Sequence, residues 1–446
     1  MANATLNHTH DPAARSWVEA ANAPGGDFPV QNLPLAIFHR ASSGEPLRGG
    51  CAIGDRIVDL AALARTGLLS GDAQAACEAC AQPALNAYFA LGATHWRALR
   101  HALFDLLCDQ APAATQERVR ACLVAQSDAH YGLPARIGDY TDFYTSIHHA
   151  INVGRLIFPD NPLTPNFQWL PIAYHGRASS VRVGQPGFGF RRPMGQAMPP
   201  GAAKPAYGPC ARLDFELEMG FFIGPGNTLG EPIPLAEAEQ HIAGMVLLND
   251  WSARDHQFWE MSPLGPFLGK NFCTTVSPWV VSLEALAPYR VPFARPAADP
   301  QPLPYLDGDA NRAGGGIDVQ LEVRLDTPAH RERGLPPSAI ARTSFRHQYW
   351  TVAQMVAQHT VGGCDLQPGD LLGTGTVSGP TAEEAGALVE LSKGGRAPVA
   401  LAGTGEQRGF LEDGDTVILR GWCEQDGAAR IGFGECRGVV LPAQGG

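Results

Sequence analysis

The stretch Leu213-Asp214-Phe215-Glu216-Leu217-Glu218-Met219 alternates acidic and apolar residues without a break. In a strand, side chains at i and i+2 share a face. Glu216 and Glu218 then stand roughly 7 Å apart at the backbone, with Asp214 beside them and Leu213, Phe215, Leu217 and Met219 on the other face. Carboxylates held that close repel unless a cation lies between them. The stretch is therefore either a solvated acidic face or one wall of a site for a hard metal ion. Further acids could complete such a site. Asp142 precedes His149 by seven residues in the run from Ile137 to Gly154. On one helix, capped by Thr141 or Asp142 and ended by Gly154, both would share a face about 10 Å apart. A metal at Asp142 would then sit one small substrate away from a base at His149. The alternative is a capping Asp142 and a partly buried imidazole.

Asp250 ends the apolar run Gly244–Asn249, and a helix capped by Ser252 is expected after it. Arg254 and Gln257, three apart, share one face of that helix. An acid with two donors just beyond it suits a metal site with an adjoining oxyanion cradle, or else a capping Asp beside a surface Arg. Lys270 lies in the mostly apolar run Pro266–Pro278, where a lysine snorkels or pairs with acids. Glu390 sits in an apolar strand candidate. A buried acid needs a partner, and a histidine oriented as a general base is a natural one. All-oxygen ligation favours Mg2+, Ca2+ or Mn2+ over Zn2+.

Other chemistries are excluded by what is missing. There is no G-x-S-x-G elbow, no H-E-x-x-H, and no G-x-G-x-x-G between a strand and a helix. The run Gly369–Gly379 lacks the order of a nucleotide-binding loop. Its glycines mark close backbone approach instead.

The elements that must position these residues follow from texture. At 446 residues the chain holds two or three domains, or one large β-rich domain and a smaller one. A net charge of −11 with scattered Lys and Arg argues against nucleic acid and anionic membranes. No apolar run reaches the ~18–20 residues of a membrane span, and the N-terminus has no apolar signal core. The ten cysteines show no disulfide spacing, and Cys77-Glu-Ala-Cys80 has no second pair to complete a zinc site. Reduced thiols in a cytoplasm are expected. Residues 1–26 read as a mobile tail. Residues 27–131 read as an N-terminal domain, with hairpins from Phe28 and helices over 56–127. Residues 132–446 read as a β-dominated domain, a large folded-over sheet. Strands are expected at 213–223, 244–249, 278–283, 317–325, 370–377, 386–392 and 416–423. Helices are expected at 142–153, 235–243, 252–260 and 349–359, and loops at 190–209 and 287–316.

Nine motifs in order, GDYTDFY, YHGRASS, RRPMGQ, LDFELEM, NDWSARD, PLGPFLGKNF, SPWVV, QPGDLLGTGTVSG and ELSKGG, resemble the fumarylacetoacetase family in its long form. The resemblance runs from Asp27 to Val440. It implies a mainly β (α+β) fold: a small SH3-like N-terminal barrel and a large C-terminal mixed β-roll, assembled as a homodimer. It implies cleavage of the carbon–carbon bond of fumarylacetoacetate, the last step of tyrosine catabolism, with Mg2+ or Ca2+. Asp142, Glu216, Glu218 and Asp250 would be metal ligands, with Lys270 and Thr274 beside the ion. His149, oriented by Glu390, would be the base. Arg254, Gln257 and Lys270 would form the oxyanion cradle, and Tyr144, Tyr174, Gln257 and Thr376 would contact substrate. Asp214 is left with a structural role or one of supporting the ligands from behind. Two positions depart from the family pattern. Phe158 stands where the family carries a carboxylate-gripping arginine, with Arg155 three residues early, and Met261 replaces a tyrosine. Both are substrate contacts, so a related diketo acid is an alternative substrate. An inactive metal-binding homologue is an alternative of another class.

Overall fold

Two runs of aliphatic and aromatic residues, Leu217–Ile223 and Ile242–Asp250, pair antiparallel and are buried at every position. The structure, a computed structural model, describes residues 6–41 and 44–444. The paired runs lie inside a seven-stranded mixed sheet. Its order is Ile172–His175, Tyr140–Tyr144, Leu371–Gly373, Leu217–Ile223, Ile242–Asp250, Thr274–Val276, Val181–Val183. Two of its pairings are parallel, Leu371–Gly373 with Tyr140–Tyr144 and Thr274–Val276 with Val181–Val183. Such strands are normally covered on both faces, and here they are.

The alternation in these strands separates two cores rather than core from water. Leu217, Met219, Phe221, Met245, Leu247, Leu372 and Phe143 join the larger C-terminal core. That core is shared with a five-stranded sheet ordered Ser338–Ser344, Gln320–Asp326, Thr416–Cys423, Ile431–Leu441, Gly189–Arg191. On the opposite face, Tyr140, Phe222, Val246, Leu248, Leu371 and Val276 pack with the N-terminal region. Steps of two residues along that same face lead from Tyr140 to Asp142, from Phe222 past Gly220 to Glu218, from Leu248 to Asp250, and from Leu371 to Gly373. One half of the face is apolar and covered. The other half carries acids.

The N-terminal region is a five-stranded antiparallel sheet, ordered Leu123–Ala125, Arg56–Asp59, Arg48–Ile53, Leu35–Arg40, Ala129–Gly132, with five helices between its third and fourth strands in sequence. Leu99, Leu103, Phe104 and Leu107 form the buried stripe of the longest, Ala93–Leu107. Asn86 of the short helix Asn86–Phe89 donates to the carbonyls of Arg136 and Pro368 at 2.9 and 2.7 Å and accepts from the Arg136 N–H at 2.8 Å. Those two segments lead directly into Tyr140–Tyr144 and Leu371–Gly373.

Several elements differ from expectation for identifiable reasons. The strand expected at 213–223 breaks after Leu213–Asp214. The Phe215 N–H is taken by Asp214 Oδ1 at 2.9 Å and the Glu216 N–H by Asn249 Oδ1 at 3.0 Å, so side chains replace ladder partners there. Asp142 is in a strand, not at a helix start. Ser146 caps the helix Ile147–Ile157 instead, accepting from the His149 N–H at 3.3 Å. Residues 386–392 contain a single helical turn, Leu388–Leu391, rather than a strand. The helix after Asp250 starts at Arg254, with Ser252 in a short strand and not a cap. Of the helix expected at 235–243 there is one 3-10 turn, Ala238–His241. The loop expected at 190–209 holds the hairpin Met194–Ala197 with Ala206–Pro209, and the loop expected at 287–316 includes the short helix Asp309–Gly314. All ten cysteines are free thiols, nine of them buried. Among the described residues no helix is long and apolar enough to cross a membrane.

The expected mobile tail is ordered over its described part, and residues 1–5 lie outside the described residues. Thr9 is fully buried, and Val18 and Ala21 join the N-terminal core. Asn7 Nδ2 donates to Glu284 Oε1 at 2.8 Å, Ser16 Oγ to the Leu107 carbonyl at 2.7 Å and the Trp17 indole to the Leu106 carbonyl at 2.9 Å. The polar composition concealed side chains that satisfy other elements. His101 also meets Glu284 Oε1, at 2.8 Å.

Two outcomes follow from this packing. Phe89 stacks on Phe222 at 5.6 Å between ring centroids, joining the N-terminal region to the central sheet. Phe89→Ala is expected to cost about 3–5 kcal/mol, read by guanidinium denaturation. Burial opposes the charge of Glu284, but His101, Arg100 and Asn7 outweigh it and hold its carboxyl below the usual range. A depressed carboxyl stabilises fully above its unfolded value and loses that contribution as pH falls through the folded value. Melting curves from neutral pH into acid should therefore show a shallower acid loss for Glu284→Gln than for the parent.

Candidate metal and catalytic site

Asp142, Glu216, Glu218 and Asp250 are all buried, and each offers an oxygen within 4.8 Å of the others. Asp142 and Gly373 are directly paired across parallel strands, and Gly373 pairs with Gly220 on its other side. Glu218 lies one step along from Gly220. Asp250 closes its strand opposite Thr274. Glu216 stands in the gap between Leu213–Asp214 and Leu217–Ile223, bridged to Ala387. The four acids thus come from three backbone segments, with Glu216 and Glu218 two residues apart on one of them.

Their charges are compensated unequally. Lys270 Nζ lies 2.5 Å from Glu216 Oε2 and 2.9 Å from Asp250 Oδ2. Arg254 Nη1 meets Glu216 Oε1 at 2.7 Å. Asp250 also accepts from Thr274 Oγ1 at 3.0 Å and the Tyr174 hydroxyl at 2.6 Å. Burial opposes the charge on Glu216, yet Lys270 and Arg254 outweigh it and hold its carboxyl well below the usual range. Burial works equally against Lys270, and Asp250 and Glu216 overcome it and hold the amine above its ordinary value. Asp142 and Glu218 have no such cation. Burial raises Asp142 well above the ordinary carboxyl value and the Asp250 charge adds to it; burial and then the Asp142 charge do the same to Glu218. Asp142 Oδ1 and Glu218 Oε1 are buried and have no hydrogen-bond partner.

Two orphaned carboxylate oxygens, a cluster short of positive charge and an all-oxygen donor set fit a hard divalent cation. Gly373 keeps the space open. A Cβ there would come 2.5 Å from Asp142 Oδ1 and 3.1 Å from Glu218 Oε2.

A buried histidine–carboxylate pair stands beside this cluster, the His149 charge acting on Glu216. His149 Nδ1 lies 2.6 Å from Glu390 Oε2, both side chains buried. The carboxylate at Nδ1 selects the tautomer with the proton there and leaves Nε2 basic. Glu390 is itself fixed, by Asn152 Nδ2 on Oε1 at 3.0 Å and by Ser378 Oγ at 2.9 and 3.0 Å from its two oxygens. Burial opposes its charge, but His149, Asn152 and Ser378 hold it below the usual carboxylate range. The Tyr144 ring stands edge-on to His149 at 5.3 Å between centroids. Arg254 donates from Nε to Asp214 at 2.8 Å and from Nη1 to Gln257 Oε1 at 3.3 Å. Its Nη2 and the Thr376 hydroxyl are buried without partners.

The structure therefore gathers the four acids with Lys270, Thr274, Tyr174 and Arg254, and gathers His149 with Glu390 and Tyr144. It does not put Asp142 and His149 on one helix. Asp142 lies in the strand that ends at Tyr144, and His149 in the helix that begins three residues later, where its charge acts on Glu216. Phe158 and Met261, the two departures from the family pattern, are 65% and 38% exposed. Asn152, Ser378 and Gly373 were not anticipated. Asn152 follows His149 by three residues, the spacing of helix neighbours, and the other two lie in the glycine-rich run already marked for close approach.

Residues 140–441 match the family model described as fumarylacetoacetate (FAA) hydrolase C-terminal, and residues 31–134 the one described as fumarylacetoacetase N-terminal. The chain is 49% identical over 428 residues to a fumarylacetoacetase of Homo sapiens, covering 94% of this chain and 98% of that one. It is 49% identical over 424 residues to a fumarylacetoacetase of Caenorhabditis elegans, covering 94% and 97%. The solved structure of fumarylacetoacetate hydrolase from Exiguobacterium antarcticum shares the fold, with a TM-score of 0.50 at 14% identity over 92% of this chain and 100% of that one.

Filling the cradle should disable it. Gly373→Ala is expected to weaken Ca2+ or Mg2+ binding by about tenfold or more, measured by calorimetry, with the circular dichroism of the parent retained.

Proposed function

The chain belongs to the fumarylacetoacetase family, and from that membership we propose that it hydrolyses 4-fumarylacetoacetate to fumarate and acetoacetate, the last step of tyrosine and phenylalanine breakdown. The observation that carries this reading is a carboxylate-oriented imidazole, His149 on Glu390, in the same buried site as a cation-poor cluster of four acids. Asp142, Glu216, Glu218 and Asp250 would hold a divalent cation, Mg2+ or Ca2+, with Lys270 and Thr274 beside it. Bound there, such an ion supplies Lewis-acid polarisation of the two oxygens of a 1,3-diketone.

The chain's own groups perform the rest. His149 Nε2 takes a proton from water, and Glu390 holds the Nδ1 proton and balances the imidazolium that forms. The hydroxide oxygen attacks the carbonyl next to the fumaryl group. Arg254, Gln257 and Lys270 donate to the tetrahedral oxyanion, and Arg254 Nη2 is free to do so. The carbon–carbon bond breaks, its electron pair leaves as the enolate of acetoacetate, and the imidazolium returns the proton to carbon. Tyr144, Tyr174, Gln257 and Thr376 orient the substrate. The unpartnered Thr376 hydroxyl supports its share of this. Phe158 and Met261 favour a second reading, a related diketo acid as substrate.

The same reading takes the N-terminal sheet as an SH3-like barrel and divides the chain near residue 132, supported by the five-stranded sheet whose strands all fall between Leu35 and Gly132. A homodimer and a cytoplasmic location belong with it. With Mg2+ or Ca2+ the purified protein should bleach the near-ultraviolet absorbance of fumarylacetoacetate, and excess chelator should stop it. No bleaching with metal present would refute the substrate. His149→Ala is expected to lower kcat by about 10²–10⁴-fold, and full activity in that variant would overturn the base.

A further inference from the structure

Asp214 is fully buried and lies outside the group of four acids. Its carboxylate is saturated by the chain. Oδ1 accepts from the N–H of Phe215 at 2.9 Å and of Leu388 at 2.7 Å. Oδ2 accepts from the N–H of Val389 at 3.1 Å and from Arg254 Nε at 2.8 Å. Leu388 and Val389 open the single helical turn whose third residue is Glu390. A turn that short is not stable by itself, and its first N–H groups need acceptors from elsewhere. Arg254 Nε is the pivot of the guanidinium. With Nε on Asp214 and Nη1 on Glu216 at 2.7 Å, Nη2 is left buried and free.

We propose that Asp214 is a positioning residue, the single carboxylate that holds the oxyanion donor Arg254 and the base-orienting Glu390 in one frame. It touches neither the ion site nor the imidazole. It acts through both partners at once: the bond at Nε keeps Nη2 from rotating to another acceptor, and the bonds to Leu388 and Val389 keep Glu390 at the height of His149. An amide at this position has nearly the same shape, but it can serve only one side. Its oxygen satisfies Phe215 and Leu388, while its NH2 confronts the donors of Val389 and Arg254.

This inference rests on the function proposed above, and the experiment separates the two. Asp214→Asn and Asp214→Ser are compared with the parent by melting temperature, Ca2+ affinity, kcat and KM, and by the crystallographic positions of Arg254 and Glu390. Folded variants that keep Ca2+ affinity, lose about 100-fold in kcat and move KM much less are expected, with Arg254 Nη2 displaced. In an Arg254→Ala background the loss caused by Asp214→Asn should be smaller than in the parent, because one of the two groups it positions is gone and only the Glu390 part remains. Unchanged kcat in Asp214→Asn overturns the proposal. So does an equal loss in the parent and Arg254→Ala backgrounds, or failure of both variants to fold and bind Ca2+, which would make the role one of folding. A parent that leaves fumarylacetoacetate intact refutes the function instead. The positions of Arg254 and Glu390 in Asp214→Asn then decide this inference alone.

Discussion

Buried like charge governs this molecule. Asp142, Asp214, Glu216, Glu218 and Asp250 are buried together, and Lys270 and Arg254 are the cations placed among them. Burying carboxylates without compensation is costly. The chain meets the demand selectively. Glu216, Asp250 and Asp214 receive its own cations and N–H groups. Asp142 and Glu218 form no ion pair among the described residues, Glu218 receiving only the Gly375 N–H at 3.0 Å, and both face the gap kept by Gly373. A cluster built only for stability would have paired those two as well. The deficit therefore marks where an external cation fits.

The surrounding architecture makes that cluster sustainable. The acids occupy one end of a sheet face whose other end is apolar and covered by the N-terminal region. The N-terminal region thus seals the face that carries the site, and Phe89 against Phe222 belongs to that seal. Asn86 adds a polar tie. It bonds to both segments that feed the parallel strands of Asp142 and Gly373, and Gly369, at φ +98°, brings its backbone against the Asn86 amide in a conformation that side chains resist. Distant sequence is thereby held against the strands that define the ion cradle.

The His149–Glu390 pair is supported with similar redundancy. Glu390 is gripped by Asn152 from the His149 helix and by Ser378 from the glycine-rich run. Ser146 caps that helix and donates to the Ser378 carbonyl at 3.0 Å. The imidazole, its carboxylate and their supports form one hydrogen-bonded body, and Asp214 links it to Arg254. Preorganisation of this kind removes the need to reorder side chains during the reaction.

The residue types raised the chemistry as one of two open readings at each stretch, and the motifs decided between them. Alternating acids, an acid at a strand end, a lysine in apolar surroundings and a lone histidine with a buried glutamate pointed to an oxygen-lined ion site beside a base, and nine motifs carried the family. Local periodicity located the strands Ile242–Asp250, Gln320–Asp326 and Thr416–Cys423 closely: the first is an apolar run buried at every position, and the second alternates apolar with polar residues. It failed where side chains took over backbone bonding. Asn249 and Asp214 broke the strand at Phe215–Glu216, Asp214 turned the Glu390 segment into a helical turn, and Ser146 moved the helix start past Asp142. The Ser146 cap is local, but the bonds from Glu216 to Asn249 and from Leu388 and Val389 to Asp214 join residues 33 to 175 positions apart in sequence, beyond any local pattern. Which acids lack a cation, and what holds Glu390 against His149, was decided only by the tertiary structure, because charge compensation and hydrogen-bond saturation depend on which distant groups fold into reach.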